Sequence, residues 1–128
     1  MIGKTLPGGM RGIRAVAFAA GIAAGPAAHA HHSFALFDNK VVTFTGTVKD
    51  YQWANPHIWI ELVDKDPGGQ VADWSIEGPS PNGLRQHGWS RTSLRPGDKA
   101  TVTLHPLKSG MPGGSVVSVT VGDVTLTA

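Results

Sequence analysis

Six histidines and no cysteine set the chemistry available to this chain. Imidazole is the commonest protein metal ligand, while the lack of thiols rules out disulfides and thiolate metal sites. Five of the histidines, His31, His32, His57, His87 and His105, follow a stretch that reads as a cleavable leader. Cleavage after Ala30 would make His31 the first residue of the mature chain. An N-terminal histidine offers two nitrogens, its α-amine and its ring Nδ1, which close a six-membered chelate ring on a metal. One further imidazole completes a T-shaped, all-nitrogen set, the arrangement called a histidine brace. Planar amine and imidazole ligation suits Cu(II), which heads the divalent affinity series. The α-amine has a reference pKa of roughly 7.7–8.0, so copper displaces its proton near neutrality with modest help. His32, and the peptide bond joining it to His31, can add further donors.

The remaining ligand must come from elsewhere. His57 follows Asn55-Pro56 directly, so a turn fixes where its side chain emerges, on the face opposite Ile58, Ile60 and Leu62. His105 lies opposite Val102 and Leu104 by the same two-residue period. His87, in a short helical stretch, is the weakest of the three. Trp53 and Trp59 flank His57 and allow two roles: an aromatic wall beside a metal or stacked ligand, or plain packing, which the sequence favours. Asp64 and Asp66 sit in a Pro-Gly turn without EF-hand spacing, and Met111 stands alone in its loop. Glu61 and Glu77 form no pair that sequence alone can establish. Neither a nucleophile elbow nor a phosphate loop is present.

The leader itself has three parts. Lys4, Arg11 and Arg14 form a basic start with no acidic residue before Asp38. An apolar run follows from Ala15 to Ala24, and Pro26 precedes the small-residue site Ala28-His29-Ala30. That order is a secretory signal, residues 1–30, with Met10 as an alternative start. The apolar run falls short of the ~20 residues a membrane span requires, so no stable insertion is expected after cleavage. Export leads to the periplasm where the host has two membranes, and otherwise out of the cell. The full chain carries a net charge of +2, but its basic excess lies in the leader. The mature part, with eight Lys and Arg against nine acidic residues, sits near −1 and shows no basic stripe. Nucleic acid is therefore not an expected partner.

Residues 31–128 suit one small domain that buries about 60–70% of its unfolded surface. Alternation marks five strand runs: Val41 to Tyr51, His57 to Val63, Val71 to Glu77, Lys99 to Leu107 and Val116 to Leu126, the last with a hairpin at Gly122-Asp123. Gly46, in mid-strand, suggests a bulge or bend. Asp64 to Gln70, with Pro67-Gly68-Gly69, reads as a turn and Ser109 to Ser115 as a Gly-rich loop. Between the third and fourth runs, Ser80-Pro81 opens a short helix, with Ser80 as N-cap and Gly88 closing it. Three strands, a helix and two strands is the order of an all-β, five-stranded OB-like barrel. An immunoglobulin-like sandwich would need about seven strands.

Three segments also carry a resemblance: His31-His32-Ser33-Phe34, then Gly46-Thr47-Val48 with Trp53-x-Asn55-Pro56-His57, and Gly88-Trp89 leading to Pro96-Gly97-Asp98. Together they resemble a family of small secreted bacterial proteins of unknown function. The resemblance implies export and a compact β domain, and it implies no activity. The residues themselves lead to an exported, non-catalytic metal-binding protein, with copper held by His31, His32 and His57, and His105 in reserve. The rival is an OB-type module binding a small molecule, glycan or protein partner through Trp59. A copper-dependent oxidoreductase ranks third, for want of a visible substrate platform.

Overall fold

The computed structural model describes residues 34–65 and 70–128, together with Gly3. Residues 1–33 other than Gly3, where the expected leader, His31 and His32 fall, lie outside the described residues, as do residues 66–69. Alternation does its expected work in β1 (Val42–Gln52), β2 (Trp59–Lys65) and β3 (Val71–Glu77). The short helix α1 (Pro81–Arg85) follows, then β4 (Lys99–Pro106), β5 (Gly113–Val121) and β6 (Val124–Thr127). β1 pairs antiparallel with β2 and β4, β2 with β3, and β4 with β5. A parallel pairing of β3 with β5 closes the ring, and β6 continues from β5 outside it. This is the five-stranded OB-type barrel with one additional strand and the helix between β3 and β4. Among the described residues, no helix is long and apolar enough to cross a membrane.

Ile58, Ile60, Leu62, Ile76, Ala100, Val102 and Leu104 point inward and are buried. Each large member removes enough apolar surface to stabilise the fold by about 1.5–3 kcal/mol. Gly46 marks a close approach rather than a bulge. A Cβ there would collide with Leu62 and stand 2.7 Å from Val63 O. The β1 bulge falls instead between Val48 and Asp50, at Lys49. A second irregularity at Val117 lets Val116 and Val119 both face the core.

The Gly-rich segment is not wholly a loop, because Gly113 and Gly114 begin β5. Gly113 pairs with Ser75, while Gly114 lies between Ile76 and Pro106. A Cβ on Gly114 would collide with His105 O, so two strands close over this position only without a side chain.

Ser80 caps α1 by accepting from Gly83 N, with Pro81 in the first turn. Trp89 N–H to Leu84 O and Gly88 N–H to Arg85 O end it in the Schellman pattern, with Gly88 at φ 84°. Leu84, Trp89 and Leu94 thereby join the core. Upstream, Phe34–Leu36 forms a 3-10 turn. The chain then runs along the end of β4 as a strap, through a Phe37–Leu107 bridge, Asp38 N–H to Pro106 O and Lys108 N–H to Leu36 O.

Candidate functional site

His57 stands where β2 and β3 leave their ladder. Gly78 N–H donates to Ile58 O and Ile58 N–H to Pro79 O, which pins the backbone on either side of the ring. Its Nδ1 lies 3.0 Å from Gly78 O and 3.3 Å from Glu77 Oε1. A carbonyl can only accept, so Nδ1 carries the proton and the neutral ring's lone pair sits on Nε2. The imidazole is 24% exposed and the carboxylate side chain 13%. Both line a cavity of about 240 Å³ walled by Phe37, Pro79, Ser115 and Val116.

His105 repeats the pattern on β4. Its Nδ1 lies 2.9 Å from Lys40 O of the strap, which again leaves the lone pair on Nε2. It lines a smaller cavity of about 130 Å³ with Phe37, Asp38, Asn39 and Ser115. Register relates the two histidines. Trp59 is paired with Glu77, Glu77 with Ser115 and Ser115 with His105, an outward row across β2, β3, β5 and β4. Glu77 and His105 are thus two strand spacings apart, roughly 10 Å. Phe37 stands in the walls of both cavities. Among the described residues, no group of three His, Cys, Asp or Glu is arranged to hold a metal ion.

The tryptophans separate. Trp53 is 7% exposed, tilted against Tyr51 with the Arg85 guanidinium 5.8 Å above its ring, and belongs to the core. Trp59 is half-buried in a third cavity of about 270 Å³, with Leu36, Phe37, Glu77, Leu107 and Met111. His87 is exposed in the turn after α1. Glu61 accepts from Ser75 Oγ at 2.7 Å, a cross-strand pair next along from Trp59 and Glu77.

Glu77, Ser115 and Phe37 were not evident as companions of His57. One signal pointed to Glu77. The β2–β3 pairs are symmetric about position 68, so a hairpin centred on Gly68 sets Glu77 across from Trp59 and diagonal to His57.

The fold and this outer face define the class, a small OB-type β-barrel with a histidine–carboxylate pair on its rim. More particularly, the chain belongs to DUF6152, a family of unknown function whose pattern matches residues 20–116. No curated protein and no solved structure matches it.

Proposed function

We propose that this is an exported, non-catalytic copper-binding protein whose mature N-terminus is the principal ligand. In a chain cut after Ala30, the amine and imidazole of His31 chelate Cu(II), His32 contributes a further donor, and His57 supplies the second imidazole through Nε2. The observation that carries the reading is the fixed His57 tautomer, with Nδ1 bonded to Gly78 O at 3.0 Å. Metal-bound histidines are oriented this way by a backbone carbonyl or carboxylate. Phe37 walls the His57 cavity, and His31 precedes the Phe34–Leu36 turn by three positions, a reach of up to about 10 Å. His105, in its own cavity, is the reserve ligand.

Calorimetric titration with Cu(II) tests the reading on two proteins, one beginning at His31 and one carrying a methionine before it. The first is expected to bind about one equivalent and the second to lose most of its affinity, since a peptide bond then occupies the amine. Equal affinities would end the proposal.

The Trp59 cavity favours a second reading, an OB-type module for a small organic ligand. Its walls are apolar apart from Ser75 and Glu77, and Met111 and Leu36 stand exposed around it. In that case Trp59→Ala abolishes ligand binding while His31→Ala leaves it intact.

A further inference from the structure

We infer that the Trp59 cavity takes a small organic ammonium ion, its charged head beside Glu77 and its apolar body against Trp59; this rests on the second reading above, the OB-type module, and names that module's ligand class. Hydrogen-bond roles support the choice. Besides the indole N–H, the polar side chains of the wall are Ser75 and Glu77. Ser75 Oγ donates its proton to Glu61 Oε1 at 2.7 Å, which leaves only its lone pairs for a guest. A carboxylate likewise offers acceptors alone. Both complement a head that carries N–H donors, whereas an anionic ligand would meet the like charge of Glu77.

Charge points the same way. The Glu77 side chain is 13% exposed, and its backbone is paired on both sides, to Trp59 and to Ser115. A carboxylate held in such surroundings attracts a cation more strongly than one in open water. Among the described residues, no lysine or arginine stands in this wall, nor in that of the His57 cavity, which shares Glu77. The face of Trp59 attracts a desolvated ammonium in its own right. Phe37, Leu107 and Met111 make the remaining wall suitable for a hydrocarbon body. The volume of about 270 Å³ has room for roughly nine water-sized groups, and Leu36 and Met111 stand exposed at the rim.

A different cavity of about 270 Å³ gives an internal contrast. Leu94, Val121, Val124 and Leu126 wall it, and Ser93 is its polar side chain among the described residues. With neither carboxylate nor indole, it has nothing to select a cation. Size is shared; charge is not.

The test titrates the whole chain calorimetrically with phenylpropylamine, an ammonium ion at neutral pH. Phenylpropanol, which carries a hydroxyl on the same skeleton, is titrated alongside. The amine is expected to bind at least about tenfold more tightly. Glu77→Gln keeps the shape and removes the charge, so the amine should fall to the affinity of the alcohol. The alcohol's own binding should change less than about twofold in that variant. Trp59→Leu should weaken the amine about three- to tenfold. The thermal midpoint of each ligand-free variant separates a folding defect from a binding defect. A folded Glu77→Gln protein with wild-type affinity for the amine overturns the inference.

Amide NMR shifts of the wild type with the amine give a second check that needs no variant. The changes should centre on Trp59, Ser75 and Glu77, and changes centred on Val121 and Leu126 overturn the inference. Equal binding of amine and alcohol beside Trp59 removes the inference and leaves the OB-type module standing. Binding of neither compound removes both.

Discussion

Tyr51 joins β1 to the segment after α1 by donating from its hydroxyl to Ser90 O at 3.1 Å. Counting by twos from Thr47 would turn this ring outward. The extra residue at Lys49 reverses the parity, and Tyr51 packs against the core beside Trp53. Burial pushes the phenol above its ordinary pKa of 10.0, because the folded protein disfavours the charged form. The unfolded chain therefore ionises first as pH rises. The stability that neutral Tyr51 contributes is full below pH 10.0 and is lost progressively above it. Tyr51→Phe should cost about 1 kcal/mol near neutrality, for the hydrogen bond, yet lose less stability than wild type on passing into alkali. Urea midpoints of the two proteins on either side of that pH check it, and parallel losses would show that another group sets the alkaline limit.

The seam where β3 meets β5 depends on glycine. A Cβ on Gly114 would collide with His105 O and lie 2.6 Å from Leu104 Cδ1, both in β4. Backbone cannot swing aside as a side-chain tip can, so Gly114→Ala is expected to cost about 3 kcal/mol in denaturant unfolding. Gly97→Ala makes a useful contrast. Nothing lies within 4 Å of its Cβ position, but φ is 94°, so strain alone should cost about 1 kcal/mol. Ser80→Ala should cost a similar amount through the lost cap on Gly83 N. These elements differ in how readable they were. Val102 and Leu104 against Thr101 and Thr103, and Ser80-Pro81 before Leu84, carry their structure in local pattern. Gly113-Gly114 has no alternation to read, and only contact with β3 and β4, distant in sequence, makes it a strand. The histidine face was half readable for the same reason. Parity put His57 and His105 outside, whereas the row that sets Trp59, Glu77, Ser115 and His105 side by side follows from the order in which β3 and β5 close the ring.

Ring closure also determines which parts the molecule can lose. β5 is held by β4 along one side and by β3 at its start, and neither pairing involves β6. What β6 adds lies at the other end of β5. Leu126 packs on the core, Thr127 O accepts from Trp89 Nε1 at 2.9 Å, and Ala128 N–H donates to Val117 O at 2.9 Å. A chain stopped after Gly122 gives up that packing and those bonds, about 3 kcal/mol in total. A domain of this size has roughly 5–15 kcal/mol to lose before it unfolds. The truncated protein should therefore keep its far-UV circular dichroism at 25 °C and unfold at lower urea. Its tryptophan emission should move to the red, because the Trp89 N–H then has water in place of a carbonyl. Should the β signal vanish altogether, closure of the ring would require β6, and the barrel could not be a five-stranded unit with an attached sixth strand.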